Sequence, residues 1–314
     1  MATKTTIKLK TNYDVVILTD HRYLNDSKTD IYKHNVYHED RLVYHALEQL
    51  GLRTIRLAWD DMFFDWSTTK AVLFRTTWDY FDRFEEFLNW LEKVATQTIL
   101  FNSEALIRWN LDKHYLLDLQ KKKIHIAESH FIEKGAKVTL VQLHDILGWN
   151  DTVLKPCVSG AARHTYKLHL ETLESHEQIF QELIRNEAMM LQPFQHNIVK
   201  KGEVSMMVFN GFFSYAILKK AKKGDFRVQD DFGGSVHHYL PTNDEIEFSE
   251  LTVQACPELP IYARVDIFED NNGHIALSEL ELIEPELWFR YHNEAALTLA
   301  NGIKQKLNNY KLKQ

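Results

Sequence analysis

One stretch, Tyr262 to Pro285, constrains this chain more than any other: it reads as a β-hairpin with charge gathered on one face. Residues 261–269 are rich in Ile, Tyr, Val and Phe, Asp270-Asn271-Asn272-Gly273 supplies turn chemistry, and His274 to Ile283 returns as a second strand. Side chains alternate along a strand, so Arg264 and Asp266 share one face of the first strand, and Glu279 and Glu281 share one face of the second. With the turn centred between Asn271 and Asn272, Arg264 faces Glu279, Asp266 faces Leu277, and all four charges lie on the same side. Val265, Ile267, Leu280 and Leu282 make the other, apolar side. Three clustered carboxylates raise one another's pKa unless a cation sits between them. Hard oxygen ligands around Mg²⁺ would supply that cation. The plain alternative is a solvated sheet face on which Arg264 offsets Glu279.

With 314 residues the chain can build two or three domains with substantial cores. Its net charge of −7 argues against nucleic-acid binding, which needs a basic footprint. Cys157 and Cys256 are too few for a disulfide framework and lack CxxC spacing, so a reducing cytoplasm is expected. No run of 18 apolar residues occurs, so no membrane partner is expected. The 16 His residues are scattered, without metal-ligand spacing.

In chain order, Asp14 to Thr19 reads as a buried parallel strand, Glu39 to Leu50 as a helix, and Arg53 to Ala58 and Ala71 to Phe74 as further strands. A helix from Arg83 to Ala95 and a strand from Thr98 to Phe101 complete a β-α-β rhythm, the mark of a small α/β domain. Ligands bind beyond the carboxyl ends of such strands, where Asp20-His21-Arg22 and Thr76-Thr77-Trp78-Asp79 fall. A helix from Leu111 to Lys121 puts Lys113 in its first turn, an unfavourable place for a cation unless an anion lies nearby. Lys155 ends the strand Thr152 to Lys155, and the small residues Ser159-Gly160-Ala161-Ala162 before Arg163 permit close backbone approach to a phosphate. Pro193 interrupts the strand Met189 to Phe194 and frees backbone groups for an outside partner. Lys219, Lys220, Lys222, Lys223 and Arg227 form a dense basic run that reads as a solvated loop.

The ordered set Lys113, Lys155-Pro156 with its small-residue loop, Gln192-Pro193-Phe194, Glu203, Arg227, Arg264-x-Asp266 and Glu279-x-Glu281 resembles the ATP-grasp superfamily. The tracts SELELIEPEL, RTTWDY, VLKPCVSGAARHT and GDFRVQDDFGG most resemble its glutathione-synthetase-like branch, which includes the cyclo-ligase of D-cycloserine biosynthesis. The resemblance implies an α/β (α+β) ATP-grasp fold with an N-terminal α/β pre-ATP-grasp domain. Its expected divisions are 1–106 for substrate binding, 107–190 for a central lid and 191–314 for the metal site. It implies that Lys113 and Lys155 contact ATP phosphates with help from Ser159 and Gly160, that Gln192 and Phe194 border the adenine, and that Glu203 takes the ribose hydroxyls. Arg227 would hold the terminal phosphate, Asp266, Glu279 and Glu281 would hold Mg²⁺ or Mn²⁺, and Arg264 would steady the reacting acyl group. The third metal position is often Asn in relatives and is Glu281 here, and the phosphate loop has only Gly160.

The activity so implied is an ATP-dependent ligase that joins a carboxylate to an amine through an acyl phosphate, acting on a small amino-acid-like substrate and releasing ADP and phosphate. Alternatives on the same fold are a phosphotransferase and a regulatory protein that keeps ATP without turnover. The full acidic set argues against the regulator. Pairing of subunits into a homodimer is common among such relatives.

Overall fold

Val15–Thr19 forms β1, a strand with no exposed residue, and the buried run makes sense because neighbours lie on both sides. The structure, a computed structural model, describes residues 11–160, 162–222 and 233–311. After β1 come α1 (Ile31–Gln49), β2 (Thr54–Ala58), β3 (Ala71–Thr76), α2 (Phe84–Ala95) and β4 (Ile99–Phe101), which give a parallel sheet in the order β2-β1-β3-β4. Next are α3 (Glu104–Asn110), α4 (Tyr115–Lys121), β5 (His130–Ile132), α5 (Leu140–Leu147), β6 (Asp151–Pro156), β7 (Tyr166–His169), α6 (Leu173–Asn186) and β8 (Met189–Pro193). Their strands form a second sheet, ordered β5-β8-β6-β7 and antiparallel throughout. The third sheet, β11-β10-β9-β12-β13, is built from β9 (Glu203–Phe209), β10 (Phe212–Lys220), β11 (Ser235–Tyr239), β12 (Tyr262–Glu269) and β13 (Ile275–Glu281). Helices α7 (His196–Lys201), α8 (Asn243–Gln254) and α9 (Glu294–Lys311) complete the chain.

Local chemistry sets these limits. Thr139 and Gln142 form a reciprocal capping box at the start of α5, and Gly148 ends it at φ 68°, so the helix predicted over Leu140 to Leu147 is the one found. Helix α1 starts eight residues before the predicted Glu39, at the Asp30 cap. Its first eight residues bury only Val36 and so carry no apolar stripe; just beyond them Glu39 accepts from the Phe289 and Arg290 amides at 2.6 and 3.0 Å. Asp40 is fully buried between Arg56 at 2.7 Å and Arg75 at 3.4 Å. The helix predicted over Leu111 to Lys121 begins only at Tyr115, as α4, and Lys113 lies in the turn between α3 and α4 rather than in a first helical turn.

The hairpin exists, but its register differs from the prediction. Arg264 pairs with Glu281 and Asp266 with Glu279, while Ile267 pairs with Leu277, so Ser278 is an extra residue, a bulge. The bulge lets Leu277 and Leu280, three positions apart, both reach the buried face. The edge of β13 is not bare: the Ala127 amide donates to the Leu277 carbonyl at 3.0 Å and Leu277 returns a bond to His125 at 2.8 Å.

The carboxyl ends of the parallel sheet abut the base of this hairpin. Asn102 bridges the Tyr262 and Leu282 carbonyls at 3.0 and 2.8 Å, and the Tyr262 hydroxyl donates to Ile283 at 2.7 Å. Helix α9 packs Leu299 and Ile303 into a core shared with Val43 and Leu47 of α1. At the opposite edge, Lys70 and Arg53 hold Asp14 near pKa 2, against the burial that would raise it. A depressed carboxylate stabilises above its unfolded pKa of about 3.8, and that stability is lost as pH falls toward 2. Asp14→Asn should therefore cost about 1–2 kcal/mol at pH 7, a range set low because Arg53 is half exposed. In urea denaturation curves at stepped pH, the gap between wild type and variant should close by about pH 2.

Candidate functional site

The three sheets meet at a cleft of about 580 Å³. Lys113, Lys155, Ser159, Gly160, Gln192, Phe194, Glu203, Arg264, Asp266, Glu279 and Glu281 all line it, so eleven of the twelve residues that the resemblance assigns to a site converge. The twelfth, Arg227, lies outside the described residues.

The floor is the charged face of β12 and β13. Asp266 is buried and accepts from Ser205 Oγ at 2.6 Å, Lys219 Nζ at 2.9 Å and Arg264 Nη2 at 2.9 Å. Burial alone would raise its pKa, but Arg264 and Lys219 hold it at about 2. Glu279 meets Lys113 Nζ at 3.0 Å; burial opposes its ionisation, and Lys113 and Lys155 outweigh that and lower its pKa. Glu281 pairs with Arg264, yet burial and the neighbouring Glu279 and Asp266 push it up to about 7. Three carboxylates on one face, one of them forced toward neutrality, are a donor set that fits a hard divalent cation. Each is already held by a lysine or arginine, so an incoming cation would have to displace these partners.

The wall above carries the lysines. Pairing of β6 with β8 sets Lys155 beside Met190 and Val153 beside Gln192. Burial lowers the Lys155 pKa, with Glu279 the main opposing charge. Lys113 is fixed from both ends: its amide donates to Cys157 O at 2.9 Å and its ammonium to Ser159 O at 2.9 Å. Gly160 rests against Phe81, and a Cβ there would lie 2.6 Å from the ring, so this close approach needs glycine.

At the far end of β8, Phe194 lies under Lys167, whose Nζ is 3.7 Å from the ring centroid. The hairpin turn is bonded to this segment. Asn271 donates to the Phe194 carbonyl at 2.9 Å, accepts from the His196 amide at 2.9 Å, and takes Gln195 Oε1 on its own amide at 3.1 Å. Glu203 meets Lys219 Nζ at 2.6 Å.

Lys219 was not recognised in the sequence, where it begins the basic run. It is buried, and the signal was its phase: Tyr215, Ile217 and Lys219 alternate onto one inward face of β10. Glu284, Glu286 and Trp288, just past β13, also line the cleft unforeseen. Conversely, of the residues predicted beyond the parallel strands only Arg22 and Trp78 reach it. Asp20 caps and clasps Arg22, Thr76 bonds Thr19 and Asp40, and Asp79 accepts from Trp59 at 2.7 Å and Arg83 at 3.0 Å. Their polar groups are used inside the sheet edge, and Thr77, buried with its hydroxyl unpartnered, does not line the cleft. His21 likewise pairs with Asp60 at 3.0 Å.

Comparisons with known proteins agree with this architecture. Residues 15–102 match the family model described as the N-terminal domain of the D-cycloserine synthetase DcsG. The cycloserine biosynthesis protein DcsG of Streptomyces lavendulae is 28% identical over 285 residues, 83% of this chain and 91% of that protein. The crystal structure of D-cycloserine synthetase DcsG superposes with a TM-score of 0.82 at 25% identity, covering 93% of this chain and 99% of that one. The ATP-grasp ligase PsnB with its minimal precursor, Mg and ADP gives a TM-score of 0.60 at 15% identity over 95% and 99% of the two chains. The D-alanine–D-alanine ligase of Bacillus anthracis complexed with ATP gives 0.65 at 14% identity over 96% and 99%. The last two are likenesses of fold alone. The chain has the ATP-grasp fold and resembles the ATP-dependent ligases built on it.

Proposed function

We propose that the chain joins a carboxylate to an amine on a small amino-acid-like substrate, through an acyl phosphate, with release of ADP and phosphate. The observation that carries this reading is the floor of the cleft: Asp266, Glu279 and Glu281 share one face while Lys113 and Lys155 stand over it. An acidic site for a cation beside lysines for phosphates is what a triphosphate with its metal needs. Mg²⁺ bound by the three carboxylates would neutralise charge on the transferring phosphoryl group. Mn²⁺ is the alternative ion.

In this reading Lys113 and Lys155 orient the phosphates, with Ser159 and the Gly160 backbone closing over them. Gln192, Phe194 and the hinge backbone border the adenine, and Glu203 receives the ribose hydroxyls, swinging from Lys219. A substrate carboxylate oxygen attacks the γ-phosphorus and ADP leaves. The amine then attacks the acyl carbon, phosphate departs and the amine loses a proton. Arg264 faces the negative oxygen that forms at that carbon. Arg227 remains the proposed holder of the terminal phosphate. Three divisions go with this reading: residues 1–106 for substrate binding, 107–190 as a central lid and 191–314 for the metal site.

The name D-cycloserine synthetase of the matched relative makes a single compound bearing both reacting groups the first to try. ADP and phosphate release is measured with ATP and Mg²⁺ across amino acids, small dipeptides and O-ureidoserine, singly and in pairs. Release that depends on a carboxylate and an amine, in one molecule or two, is the expected result. Release with a hydroxyl acceptor and no amine would replace the ligase by a phosphotransferase.

A further inference from the structure

The cleft has a second wall that phosphate and metal do not use. It is formed by Arg22, Tyr23, Tyr32, Trp78 and Tyr80 on the side of the parallel sheet, facing Glu284 just beyond β13. Arg22 is spent on Asp20, at 2.6 Å, and Glu286 on Arg290, also at 2.6 Å. Among the described residues no lysine or arginine pairs with Glu284, unlike Asp266, Glu279 and Glu281. Its main chain is fixed on both sides: Trp78 Nε1 donates to its carbonyl at 2.8 Å, Arg75 donates to the next carbonyl, of Pro285, at 3.2 Å, and Tyr262 holds Ile283. Glu284, anchored through its main chain and with no lysine or arginine paired to it among the described residues, lines the cleft with Trp78, whose ring centroid lies 5.3 Å from that of Tyr23 and 6.2 Å from that of Tyr32.

We propose that Glu284, backed by the Trp78, Tyr23 and Tyr32 rings, is the subsite for a protonated amine of the substrate. An ammonium group supplies three donors and the missing charge to the carboxylate, and aromatic faces attract the same cation. Burial and the neighbouring Glu281 push Glu284 up to about 8, with the Tyr80 hydroxyl opposing, as expected of a carboxyl whose counter-ion arrives with the ligand. The assignment rests on the ligase reading for its substrate class: amino acids and their derivatives, rather than simple carboxylates.

The test runs wild type, Glu284→Gln and Glu284→Asp against the same amino acids, dipeptides and O-ureidoserine, each with its amine free and N-acetylated. ADP release gives KM, and quenching of Trp78 and Trp288, which both line the cleft, reports binding without turnover. Free amines should bind wild type and their acetylated forms should not. Glu284→Gln should raise KM and the half-saturation of quenching about ten- to a hundredfold, the worth of a charged hydrogen bond. ATP affinity and Mg²⁺ dependence should stay unchanged, and Glu284→Asp, which keeps the charge, should recover part of the loss. Acetylated compounds acting as well as free amines, unchanged binding in Glu284→Gln, or a parallel loss of ATP or Mg²⁺ response in both variants would overturn the subsite. If no compound releases ADP, the ligase reading fails; the subsite then stands if free amines quench wild type but not Glu284→Gln, and falls if they quench neither.

Discussion

Glu279→Gln is expected to lower Mg²⁺-dependent ADP release about a thousandfold, on the order of 4 kcal/mol of transition-state stabilisation. The substitution keeps the volume and one oxygen of the side chain but removes the charge that faces Lys113 and Lys155. The fold should survive, because Glu279 is part-exposed on the cleft floor and the apolar side of the hairpin, Val265, Ile267, Leu280 and Leu282, is untouched. Two measurements decide it: ADP release over a Mg²⁺ titration, and a thermal melt without nucleotide. Near-normal turnover at ordinary Mg²⁺ would show that this face is not the metal site.

Asp40→Ala should be the most damaging single change to stability, by about 3–5 kcal/mol. Asp40 and Arg75 are both nearly inaccessible to water, and Asp40 Oδ1 and Arg75 Nε, 3.4 Å apart, have no hydrogen-bond partner to replace each other. Removing the acid leaves Arg75 charged in the core and takes the carboxylate from Arg56, which keeps its bonds to the Tyr23 and Leu24 carbonyls. The damage should reach the cleft, since Arg75 also stacks over Phe289 at 5.3 Å and holds Pro285. Chemical denaturation gives the size. Replacing both partners with apolar side chains, as in Asp40→Leu with Arg75→Met, should recover part of the loss; a double variant no better than Asp40→Ala would mean that Arg56 or the lost methylene packing dominates.

Much of the site was legible because charge on a strand face is a local signal. Arg264, Asp266, Glu279 and Glu281 could be placed on one side by alternation alone. Their pairing could not, since a bulge adds one residue without leaving a Gly or Pro to mark it; the spacing of Leu277 and Leu280 was the only trace. Lys219 hid in a run of lysines, although its phase with Tyr215 and Ile217 pointed inward. The start of α1 was missed for the opposite reason: residues 31–38 bury only Val36, so no apolar stripe marks them. Glu39 and Asp40, just beyond, find their partners Arg56, Arg75 and Arg290 between 16 and 251 residues away in sequence. Long-range pairing of this kind leaves no periodic mark. The ends of α3 and α4 were lost for a related reason: Asn110 and Tyr115 stop and start helices through bonds to Leu280 and Leu282 of the distant hairpin.

The turn at Asn271 has a consequence for traffic through the cleft. Its three bonds fasten the hairpin to the chain just past Pro193, at one end of β8, whereas Gly160 sits beyond the other end, near the Met189–Pro156 pairing, against the Phe81 ring. A door bolted along one side swings on that side. The second sheet would then pivot about Asn271, and nucleotide would pass in and out at the Gly160 edge, phosphates last to enter and first to leave.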